Sequence, residues 1–201
     1  MFAEAYPIAR KKDCGDALKQ FLREYGAPDT MISDGSREQT KPGTAFQSIL
    51  RKNNVRSVIT PPHRPNYNPA ETVIRELRKR WYRAIFRTNC PRTLWNYGLP
   101  HFAKIMQLTA SNAAQLDGKT PLGWLTGETP DISQYLDFGW YDWVWFKENA
   151  GLDVPHIGRF LDIASSASNI MTFHILPESG IPITAGTVQR VTHIEQQTDS
   201  V

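Results

Sequence analysis

TMISDG (residues 30–35) is a short apolar run ending in a turn, and TPPHRPNYNPAETVIREL (residues 60–77) is a proline-rich connector that runs into an amphipathic helix. The first stretch predicts a strand with Asp34 at its carboxyl end, a favoured place for chemistry in open α/β sheets. The second predicts a helix start at Asn68-Pro69, because Asn caps exposed amides and proline fits the first turn without losing a needed donor. Outward from these, the pattern predicts a strand edged by Pro7 near the amino terminus and an amphipathic helix over 13–25 that Gly26 stops. A short helix over 45–52 and a strand over 55–60 follow. The result is a β-α-β-α-β rhythm, and with it an α/β fold.

The helix beginning at 68 extends to about residue 87. Val73, Ile74, Leu77, Trp81, Ala84 and Ile85 recur at steps of three and four and form its core-facing stripe, whereas Glu71, Arg75, Arg78 and Tyr82 form another stripe. A further apolar helix is expected over 93–113, kinked or divided by Pro100. Residues 116–137 are rich in Gly, Pro, Thr and Asp and read as a connector with one short helix. From residue 138 the period changes to two, in WYDWVWFKEN, HIGRFLDIAS, NIMTFHIL and TAGTVQRVT, which suggests a small all-β barrel. The expected organisation is therefore a core over 1–115, a connector over 116–137, a β domain over 138–194 and a disordered tail over 195–201.

The chain has 201 residues, 40% hydrophobic and 21% charged, so it can bury a core and is not disordered by composition. No apolar run is long enough to span a membrane, and the amino terminus lacks the apolar stretch of a signal peptide, so an intracellular protein without a membrane partner is expected. Cys14 and Cys90 stand alone, without the spacing of a zinc site, and are expected as reduced thiols. The net charge of +3 conceals an asymmetry: residues 51–92 carry eleven Lys and Arg against two acids, Glu71 and Glu76, which leaves the remainder net acidic. Positive charge gathered in one segment fits a polyanion, although a solvated helix face accounts for it too.

Asp34 and Glu71 could converge at one sheet edge. Paired carboxylates suit magnesium, a hard cation that takes oxygen ligands and shares waters with phosphates, and such ions promote phosphoryl transfer. The same two residues serve equally as a turn cap and as an acid at the positive end of a helix dipole. Arg64, Arg75, Arg78, Lys79 and Arg83 are candidate phosphate contacts, and His63 is a loop histidine that could touch DNA. Trp140, Trp143 and Trp145 could stack on bases, but alternating aromatics suit core packing better. Nothing resembles a Gly-rich phosphate loop or a Ser/His/Asp arrangement.

The SDG turn, the TPPHRPNYNPAE connector and the ETVIREL continuation together resemble the integrase catalytic core of retroviruses and LTR retrotransposons. SNAAQLDGKTPLGWLTGETPDISQYLDFG is similar to the connector of copia-type elements, and the last strands are similar to their terminal small β domain. The resemblance implies an RNase H-like core followed by a helical connector and a barrel-like domain. It also implies DNA integration, with Asp34 and Glu71 as catalytic metal ligands for Mg²⁺ or Mn²⁺. The implied partners are retroelement ends and target duplex, with a homo-oligomer and a nuclear location when acting on DNA. Integrase cores use three carboxylates, and the first strand with its Asp is expected upstream of the part matched here; Glu4, Asp13 and Asp16 lack the strand context to replace it. The amino-terminal zinc module has no counterpart either. An integrase-derived protein with an incomplete triad and weak ion binding is the implied reading. The alternative is a catalytically dead nucleic-acid-binding or interaction module, decayed or put to host use.

Overall fold

The computed structural model describes residues 2–61, 69–110, 116–147, 154–164, 172–192 and 195. The chain divides into two compact units, one of Ala5–Glu76 and one of Met1–Glu4 with Leu77–Val201.

The first unit contains α1 (Cys14–Tyr25), β1 (Thr30–Ser33), α2 (Arg37–Thr40), α3 (Ala45–Lys52) and β2 (Arg56–Ile59). Gly26, at a φ of 83°, ends α1, and its amide donates to the Leu22 carbonyl. Thr44 caps α3, its hydroxyl accepting from the Gln47 amide. Leu18, Phe46, Leu50 and Val55 form the core, with Leu22, Met31 and Ile49 packed around them. β1 and β2 pair in parallel, from Thr30 opposite Arg56 to Ser33 opposite Ile59. The expected amino-terminal strand is not formed: residues 2–8 are in no ladder among the described residues. Pro7 lacks the amide that a central strand would need.

α4 (Pro69–Thr88) belongs to both units, its residues from Leu77 onward lying in the second. α5 (Trp95–Leu108) follows a single 3₁₀ turn at Arg92–Leu94, and Pro100 lies inside it without dividing it. α6 (Pro121–Thr126) is the expected short helix, capped by the Thr120 hydroxyl and closed by Gly127 in the left-handed region. Gly98 of α5 lies against the Trp81 ring, in space that a Cβ would occupy.

Five strands complete this unit: β3 (Trp143–Lys147), β4 (His156–Ile163), β5 (Phe173–Pro177), β6 (Ile183–Ala185) and β7 (Thr187–Arg190). They form one antiparallel sheet in the order β6-β5-β4-β3-β7. The expected barrel is instead an open sheet, since β6 and β7 are its two edges and no ladder joins them among the described residues. Gly186 alone separates these edge strands in sequence. Two residues of chain span at most about 7 Å, so the sheet curls until its edges approach without pairing.

Period-two alternation gives the sheet a buried face of Val144, Phe146, Phe160, Phe173, Ile175 and Ala185, capped by Phe138. A bulge in β4 shifts the register between Phe160 and Asp162. The extra residue, Leu161, is fully buried in a second cluster with Trp81, Ala84, Cys90, Leu94 and Trp140. Helices α4 and α5 therefore pack on strand residues, and the compact units part at Glu76 and Leu77. Among the described residues no helix is long and apolar enough to cross a membrane. The tail beyond Glu195 lies outside the described residues.

Candidate carboxylate site and basic helix

β1 ends as the sequence predicts. Ser33 is buried, and its carbonyl accepts from the amide of Thr60 at 2.9 Å and from its hydroxyl at 3.2 Å, which ties the ends of β1 and β2 together. Asp34 follows immediately and is exposed. Its Oδ1 accepts the Ser36 amide at 3.1 Å, the local bond by which an aspartate stabilises a turn. Glu71 stands exposed in the first turn of α4, where the helix dipole favours a negative charge. Both local roles weighed against catalysis are thus present in the fold. Both carboxylates also face solvent and offer the hard oxygen donors that Mg²⁺ prefers.

The other acids near the amino terminus are engaged elsewhere. Glu4 accepts from Gln107 Nε2 at 2.7 Å, Asp13 accepts from the Arg10 amide at 3.1 Å, and Asp16 pairs with Lys19 at 2.9 Å. Gln107 also donates to the Ala3 carbonyl. Among the described residues no group of three or more His, Cys, Asp or Glu stands close enough to hold a metal ion.

Of the candidate DNA contacts, Arg75, Arg78, Lys79 and Arg83 are all exposed on α4. They do not share one face. Five residues of helix separate Arg83 from Arg78 by about 140°. Arg83 instead lines a cavity with Arg80 and Arg87, neither of which sequence reasoning singled out. Arg64 and His63 lie outside the described residues, as does Asn68. Trp140 is buried, in keeping with core packing, whereas Trp143 is half-buried with the Arg159 guanidinium 3.3 Å over its ring.

A second polar cluster went unnoticed in the sequence. His101 of α5 is buried among the rings of Phe102, Trp140 and Phe160, and its Nδ1 donates to Asp162 Oδ1 of β4 at 2.9 Å. His174 of β5 sits across from Asp162 in the ladder, with the Tyr97 ring 5.4 Å away. Burial lowers the His174 pKa from its ordinary value, and the charge of Asp162 opposes that shift. This arrangement joins helix to sheet inside an aromatic core. The available signal was Asp162 itself, a charge in the otherwise apolar run FLDIA.

No known protein family matches the chain, and no curated protein matches it. Among solved structures it is similar to a chain of the cryoEM structure of the simian T-cell lymphotropic virus intasome in complex with PP2A regulatory subunit B56 gamma. The TM-score is 0.49 at 16% sequence identity, and the match covers 92% of this chain and 66% of that chain, slightly under two thirds of its length.

Proposed function

We propose that the chain is an integrase-derived DNA-binding protein in which Asp34 and Glu71 are two carboxylates of a strand-transfer site. The observation that carries this reading is the placement of Asp34 directly after a parallel strand, with Glu71 in the first turn of the basic helix that opens after the proline-rich connector. The words SDG and NPAETVIREL occupy these same two positions. A divalent ion such as Mg²⁺ would polarise the phosphate and lower the pKa of the attacking hydroxyl. Asp34 and Glu71 would supply its oxygen ligands. Arg75, Arg78 and Lys79 would hold DNA phosphates, fixing the duplex without reading its sequence. Retroelement ends and target duplex are the DNA such a protein would meet, in the nucleus and as a homo-oligomer.

The engagement of Glu4, Asp13 and Asp16 with Gln107, Arg10 and Lys19 favours a second reading, in which these 201 residues bind DNA without catalysing transfer. One experiment tests both. Mn²⁺ titrated into the labelled protein should broaden the amide resonances of Asp34, Gly35 and Glu71 together, and Asp34→Asn should abolish the effect at all three. Broadening at one carboxylate alone would show that the pair does not converge. In a strand-transfer assay, activity at background supports the second reading. Robust transfer lost in Asp34→Asn would establish the first.

A further inference from the structure

We infer that the cavity lined by Arg80, Arg83 and Arg87 of α4 and by Phe102, Ile105 and Trp140 is a binding site for an unstacked nucleotide of single-stranded nucleic acid. It lies wholly within the second compact unit and is made by residues other than Asp34 and Glu71. Its volume is about 400 Å³, in the range of pockets that hold small organic groups and larger than a bare phosphate requires. No Asp or Glu lines it. Arg83 and Arg87 are exposed, and among the described residues neither has a carboxylate partner.

Three arginines over eight residues of helix spread their stems along about 10 Å of its axis. That length suits successive anions on a strand better than one isolated phosphate. Guanidinium forks match phosphate oxygens in bidentate geometry, which an ammonium group does not. Between them the cavity is aromatic and rigid. The Trp140 indole donates to Cys90 Sγ at 3.4 Å and packs against Trp81 and Phe102 at centroid distances of 5.6 and 5.8 Å. A floor already held in place costs little to order on binding. Arginine on the wall and aromatic surface on the floor are the two components of single-strand recognition, one for the backbone and one for the base. A base within a duplex is stacked on its neighbours and cannot enter, so a flap, a gap or a strand end is the fitting ligand. A phosphopeptide would use the arginines but leave the aromatic floor without a flat partner.

The test uses the full chain in EDTA, so that its result does not depend on Asp34, Glu71 or any metal. The probes are a labelled 15-nucleotide oligo-dT, a labelled duplex and a labelled peptide with one phosphoserine, followed by anisotropy between 50 and 200 mM salt. Arg83→Ala/Arg87→Ala should weaken oligo-dT binding at least tenfold. It should also lower the slope of log affinity against log salt by about 1.4, since each single-strand phosphate contact contributes about 0.7. Phe102→Leu should weaken oligo-dT more than duplex. Unchanged affinity and slope in the arginine variant would overturn the proposal, as would tighter binding of the phosphopeptide than of oligo-dT. Photocrosslinking of oligo-dT to the unaltered protein supplies a readout free of any variant. Crosslinks in the peptides containing residues 80–88, 102 or 140 support the site, and crosslinks confined to other segments overturn it.

Discussion

β1 and β2 make a parallel pair in which Ile32 and Ile59 are 46% and 50% exposed, whereas Val144, Phe160 and Ile175 of the five-stranded sheet have no exposure at all. Both sets are apolar strand residues with similar intrinsic preferences. The difference lies in what covers them. Parallel strands are stable when both faces are packed, and the described β1–β2 pair leaves apolar side chains in water. The antiparallel sheet can leave one face half-wet because the other is filled by seven interlocked residues. The first region therefore draws its stability from the small cluster around Leu50, and the second from a contiguous aromatic core.

The largest test of that contrast is Phe160→Ala. A fully buried phenylalanine deleted from a packed core should cost about 3–5 kcal/mol, measured by chemical denaturation. A cost below about 1 kcal/mol would show that the sheet core tolerates collapse and that the contrast is weaker than its exposures imply. Gly158→Ala probes the same core from the opposite direction. A Cβ there would stand 2.7 Å from Ile175 Cγ2 and 3.0 Å from the Leu176 carbonyl oxygen, which is backbone and cannot turn aside. Overpacking of this kind should cost about 1–3 kcal/mol, seen as a lower denaturation midpoint with an unchanged slope.

A smaller effect is expected from pH. The folded-state pKa of His174 lies below its ordinary 6.5, so between these values the unfolded chain binds more protons than the folded one. The stability this histidine confers is complete above about pH 6.5 and is lost as pH falls from there through the folded pKa. Melting followed from pH 8 to 5 should show that decline, and His174→Gln should flatten it. A decline of equal depth in the variant would assign it to other groups. The smallest change should come from Ile32→Thr, which keeps the β-branched stem on a half-exposed position. We expect a shift of no more than about 0.5 kcal/mol. A loss several times larger would mean that Ile32 is covered in solution, and it would remove the contrast between the two sheets.

Much of the local structure was legible in residue order. The period of α1, the short helices α3 and α6 and the apolar run into Asp34 depend on neighbours within a few residues, and each appears where the pattern predicts. Asp34 was legible as a residue after a strand and Glu71 as one in a first helical turn. Any convergence of the two was not, because it depends on where distant elements pack. Ile74 was counted in the core stripe of α4 by its spacing, yet it is 48% exposed. Spacing names a helix face, but it does not say how wide a face its neighbours cover.

By itself, then, the sequence determined the alternation of β3, β4 and β5, the helical reach of α4 and the concentration of positive charge on α4. Each follows from side-chain periodicity and composition along a local stretch of chain. Only the tertiary structure decided that Leu161 is a bulged residue buried against helices, that Gly186 joins the two edges of an open sheet and that His101 meets Asp162 across 61 residues. It also decided that Arg83 shares a cavity with Arg80 and Arg87 instead of a face with Arg78. These outcomes are long-range because burial, register and charge environment depend on what packs opposite each residue, and residues that face one another can be far apart in the chain.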